Sequence, residues 1–72
     1  MSEILVYRKK DIEMNYCIVN QFGEYLFSCK HDYITVTPEK RLAMQFYTES
    51  AAQELALELQ IVTDRWFGVE EL

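Results

Sequence analysis

Two short runs of strand-forming residues, Tyr16-Cys17-Ile18-Val19 and Tyr25-Leu26-Phe27, stand either side of Asn20-Gln21-Phe22-Gly23-Glu24. β-Branched and aromatic residues favour strands. A glycine late in such a loop suits the left-handed position of a three-residue turn with a bulge. That geometry pairs Val19 with Tyr25, Cys17 with Phe27 and Asn15 with Cys29. Side-chain alternation then places Cys17, Val19, Tyr25, Phe27 and Cys29 on one face, and Met14, Tyr16, Ile18 and Leu26 on the other. Both faces are apolar, so the hairpin cannot stand alone. It needs a helix on one side and further cover on the other, from the N-terminal segment or from a second copy of the chain.

The remaining elements follow from local chemistry. Ile4 to Tyr7 reads as a strand. Tyr33 to Val36 reads as a short one that stops at Thr37-Pro38, where proline has no N–H to pair. Pro38 to Arg41 is a turn, or the start of a short helix through Leu42 and Ala43. Residues 51–60 consist only of Ala, Gln, Glu and Leu, all good helix formers. Ala51, Ala52, Leu55, Ala56, Leu59 and Val62 fall within an arc of ~140° at helical periodicity, the face expected to meet the sheet. Thr48 or Ser50 can cap this helix, Ser50 with Gln53 completing a capping box. Trp66 to Val69 reads as a closing strand. The expectation is a single α+β domain: an antiparallel sheet of four or five strands with one amphipathic helix, Glu49 to about Val62, on one face.

With 72 residues, a chain buries only about 60% of its unfolded surface, which leaves room for one small core. Its net charge of −5 comes from 12 acidic and 7 basic residues, unevenly spread. Up to Arg41 the acids (Glu3, Asp11, Glu13, Glu24, Asp32, Glu39) balance the bases (Arg8, Lys9, Lys10, Lys30, Lys40, Arg41). Beyond it, Glu49, Glu54, Glu58, Asp64, Glu70 and Glu71 face one base, Arg65. A field gathered at one end favours a basic partner and repels phosphate; an ordinary solubilising surface is the competing explanation. The first apolar run precedes Arg8-Lys9-Lys10, the reverse of a secretory signal, and no stretch has the ~20 apolar residues of a membrane span. Two cysteines are too few for a disulfide framework. A cytoplasmic, reduced protein is expected.

Leu57 and Ile61 break the helix pattern. They lie one turn apart, away from the core arc and beside Glu54 and Glu58, like a small docking patch with an apolar centre and a charged rim. With Asp64, Glu70 and Glu71 they form the expected partner-binding set, unless a second layer covers the helix. Cys17, Cys29 and His31 are metal-ligand types, but the tight four-ligand spacing of a structural zinc site is missing, so no metal or other cofactor is expected. Ser28, His31 and Asp32 carry the chemistry of a nucleophilic triad, yet along an extended chain they point apart. No enzymatic activity and no small-molecule substrate is expected. Nucleic-acid binding is the alternative, through Arg8, Lys9, Lys10, Lys30, Lys40 and Arg41 with Tyr16, Tyr25, Phe27 and Tyr33 on the sheet. Neither the missing glycine–aromatic motif nor the net charge favours it. A structural homodimer is a further reading.

Three segments, Tyr16 to Leu26, Ala43 to Ala51 and Trp66 to Glu70, resemble small uncharacterised accessory proteins of Gram-positive bacteriophages and prophages. The residues before Met14 lie outside the likeness. Anti-CRISPR proteins are similar in size and acidity. The resemblance implies a phage-type inhibitor in a bacterial host, one that binds and blocks a basic host or defence protein, such as a nucleic-acid-binding nuclease. It assigns no residue a role.

Overall fold

Asn20 makes the first turn. Its side-chain Oδ1 accepts from the backbone N–H of Phe22 and of Glu24, both at 2.9 Å, while its Nδ2 donates to Glu24 Oε1 at 3.0 Å. The backbone closes the same loop, Asn20 N–H donating to Glu24 O at 2.8 Å and Gly23 N–H to Asn20 O at 3.2 Å. Gly23 sits at φ +78°, a conformation that costs a residue with a Cβ about 1 kcal/mol or more. This computed structural model describes residues 15–30 and 33–72; the expected strand at Ile4 to Tyr7 lies outside the described residues.

The hairpin joins β1 (Tyr16–Asn20) to β2 (Tyr25–Lys30). β3 (Tyr33–Thr37) follows, then a 3₁₀ turn at Lys40–Leu42, the helix α1 (Glu49–Thr63) and β4 (Phe67–Glu71). The four strands form one antiparallel sheet in the order β3-β2-β1-β4. The α+β expectation therefore holds, with its helix ending one residue past Val62. Thr48 is the cap: its Oγ accepts from Ala51 N–H at 3.1 Å, and Ser50 lies inside the helix.

The predicted hairpin register holds at Val19 and Tyr25 and then fails. A bulge between Leu26 and Ser28 shifts the pairing of β2 with β3, and a bulge bends the strand that carries it. β2 therefore turns away from β1. The gap is filled from much later in the chain. Met44 N–H donates to Leu26 O at 2.7 Å, and Phe46 pairs with Tyr16, donating to its carbonyl at 2.9 Å and accepting from its N–H at 3.1 Å. Cys17 does not meet Phe27. Past the bulge, Cys29 pairs with Ile34 and packs against the core, so the two cysteines lie on opposite faces of the sheet rather than sharing one.

The core lies between α1 and the sheet. Ile18, Leu26, Ala52, Ala56, Leu59 and Phe67 are buried together, with Tyr16, Cys29, Ile34, Phe46, Leu55 and Val69 packed around them. Ala52 and Ala56 let the helix approach closely, and α1 lies over β4 and β1. That seat is narrow, and the buried stripe is narrower than the predicted arc: Ala51 and Val62 are exposed. On the opposite face, Trp66 lies against Gly68, where an added Cβ would stand 2.5 Å from the indole's Cη2 and Cζ2.

Candidate protein-interaction surface

The outward side of α1 follows from its inward side. With Ala52, Ala56 and Leu59 held against the sheet, positions 54, 57, 58 and 61 must point the other way, at the i, i+3, i+4, i+7 spacing of a single helical face. All four are exposed, Leu57 at 56% and Ile61 at 83%. Val62, also exposed, widens the apolar area beside Ile61. Sequence periodicity assigned Val62 to the core; the alanines, which mark where the helix comes closest to the sheet, are the signal that would have placed it outside.

Several features of this face are unfavourable among the described residues. Glu54 and Glu58 are like charges one turn apart, destabilising by about 0.2–0.5 kcal/mol. The helix has three acidic residues and no basic one, and its last turn contains no Lys, Arg or His to meet the negative pole of the helix. At that pole stands Asp64, the helix C-cap, with φ 56° and ψ 34°. It is the only non-glycine residue with positive φ among the described residues. Its N–H donates to Gln60 O at 2.9 Å, a bond that a glycine would make without a Cβ penalty. Neighbouring Thr63 ties the end down, its hydroxyl donating to Leu59 O at 2.7 Å and accepting from Arg65 N–H at 3.2 Å. Asp64 is thus disfavoured both by its backbone conformation and by its charge.

Not every expected site residue joins this surface. Glu70 pairs across the sheet with Cys17, which points away from the helix side occupied by Ile18. There its Oε1 accepts from Lys40 Nζ at 2.7 Å and from the Tyr25 hydroxyl at 3.4 Å. The ion pair holds the Lys40 ammonium above its ordinary pKa, chiefly through that hydrogen bond. Glu71 is exposed at the far end of β4, which runs back from the loop beside Asp64. The C-terminal acids therefore do not make one pole: strand alternation and the reversal after α1 separate Glu70 and Glu71 from the helix group. Among the described residues the ion pairs are Lys40–Glu70 and Arg41–Glu39, and none reaches Glu54, Glu58 or Asp64.

The other readings fare unevenly. Tyr16 faces the core, Tyr25 is bonded to Glu70, and both Lys40 and Arg41 are engaged by carboxylates. Of the proposed nucleic-acid surface, Lys30, Phe27 and Tyr33 remain exposed, Tyr33 at 78%, while Arg8, Lys9 and Lys10 lie outside the described residues. Cys17 is fully buried, and burial pushes its thiol above the ordinary pKa, with Lys40 opposing and Glu70 adding to the shift. The described residues contain no cluster of three or more His, Cys, Asp or Glu able to hold a metal ion; His31 and Asp32 lie outside them. No helix among the described residues is long and apolar enough to cross a membrane. No family model, curated protein or solved structure matches this chain.

Proposed function

We propose that the protein is a binding module whose outward α1 face, Glu54, Leu57, Glu58 and Ile61 with Asp64 at its end, docks a basic surface of another protein. The observation that carries this reading is the run of locally unfavourable choices on one helix face. A carboxylate pair one turn apart, two exposed branched aliphatics and a left-handed aspartate at a negative helix pole gain no ion pair and no cover from the other described residues. Each would gain from a cationic partner with an apolar centre. Blocking such a partner, which a resemblance to small phage accessory proteins would imply, is the mode of action we propose. Opposite charge would speed the encounter and make it sensitive to salt.

Variants of one helix face test the proposal. The double variant Glu54→Lys/Glu58→Lys and, separately, Leu57→Asp should keep the wild-type circular dichroism spectrum. Both should lose the proteins that wild type retains from a bacterial lysate at low salt. Asp64→Gly should raise stability by about 0.5–1 kcal/mol in urea titration while weakening capture. Retention of the same proteins by wild type and by the charge-reversed variant would show the face to be ordinary solvated surface. A gel shift with single-stranded DNA that survives in those variants would favour the opposite side of the sheet.

A further inference from the structure

Among the described residues the sheet ends in two outer strands of different character. β4 carries Glu70 and Glu71, and Trp66 lies over its Gly68. β3 is Tyr33-Ile34-Thr35-Val36-Thr37, β-branched at four of its 5 positions and without an acidic or basic side chain. Its inner edge pairs with β2, and among the described residues no strand pairs with its outer edge. Such an edge presents a row of backbone donors and acceptors to any strand that matches it. In a chain of net charge −5, repulsion opposes self-association, and it is weakest where the meeting strands carry no charge.

We propose that two copies of the chain join antiparallel through the outer edges of β3, about a two-fold axis at Thr35. The register sets Thr35 against itself, Tyr33 against Thr37 and Ile34 against Val36. Residues directly opposite each other share a face of a sheet, so Ile34 and Val36 of both copies lie on the helix side and Tyr33, Thr35 and Thr37 of both on the other. Apolar therefore meets apolar, and threonine meets threonine or tyrosine. A slip of one residue would set Ile34 against Thr35 and throw the two helices onto opposite sides. The same operation on β4, about Val69, would gather Glu70 and Glu71 of both copies along one seam, so charge selects β3. Pro38, directly after the strand, limits the seam to those 5 residues.

The inference stands apart from the proposed function. Because α1 packs on β4 and β1, the joined sheet leaves both outward helix faces open, and the pair would engage a repeated target twice. A seam this short falls below the standard interface size, so association is expected at about micromolar concentration or above.

Sedimentation velocity on the full chain, over roughly a hundredfold concentration range reaching hundreds of micromolar, reads the outcome. Wild type should pass from monomer to dimer. Thr35→Lys, at an exposed position where a charge is tolerated in the free chain, should remain monomeric with an unchanged circular dichroism spectrum. Thr35→Cys treated with ferricyanide should give a dimer whose cross-link maps by mass spectrometry to position 35 in both copies. A wild type that stays monomeric throughout would overturn the proposal. So would a Thr35→Lys variant that dimerises like wild type, which would place any contact elsewhere.

Discussion

The sheet behaves as two ribbons. β1 and β4 run together without interruption from Tyr16–Glu71 to Asn20–Phe67, with α1 lying across them. β2 and β3 pair across a bulge and reach the first ribbon directly at Val19–Tyr25, where the hairpin turns. The first ribbon contributes Ile18 and Phe67 to the fully covered core; the second contributes Leu26 and, half-buried, Cys29 and Ile34. The contrast teaches where stability and binding capacity reside. Burial concentrates under the helix, and the exposed strand-forming surface lies on the ribbon that the helix does not cover.

The largest effect should separate the ribbons outright. Ile18→Ala, which empties a fully buried site beneath α1, is expected to cost about 2–5 kcal/mol in denaturant unfolding. Val36→Ala, on half-buried β3, should cost under about 1 kcal/mol. Equal losses would mean that the second ribbon is as deeply packed as the first. Next comes the hinge. Asn20→Ala removes the acceptor for two backbone N–H groups and the donor to Glu24, and should cost about 1–2 kcal/mol. Hydrogen exchange should speed up at Phe22 and Glu24 before it does within the β1–β4 ladder. The smallest effect is alkaline. The folded pKa values of Cys17 and Lys40 both lie above their ordinary values, so the stability they contribute is whole below the unfolded values, about 8.5 and 10.4. It is lost as pH rises through the folded ones. Urea titrations should show stability declining above about pH 8.5, and Cys17→Ser should lack the first part of that decline.

The helix was legible because its signals agree: a run of strong helix formers, a threonine cap and a consistent apolar stripe all give Glu49 to the early sixties. β3 was legible for a similar reason, bounded by the proline that follows it. The hairpin was legible only at its turn, where Asn20 and Gly23 act locally. Its far end was not. Whether Tyr16 meets Ser28 or Phe46 depends on a bulge and a returning segment, and neither leaves a periodic trace in β1 or β2. The same holds for the candidate site. The pairing of Leu57 and Ile61 with Glu54 and Glu58 is a matter of helical spacing, visible in the chain. The capture of Glu70 by Lys40 joins a 3₁₀ turn to a closing strand, and no local pattern announces it.

The insertion of Phe46 beside Tyr16 bears on the order in which the molecule assembles. A hairpin that zips from its tip can advance only as far as Leu26 before its two arms part, and the next bonds must come from residues on the far side of β3. Loop closure therefore precedes completion of the first hairpin, and local pairing alone cannot finish it. The amides of Tyr16, Met44 and Phe46 should gain protection in one concerted step, not in succession.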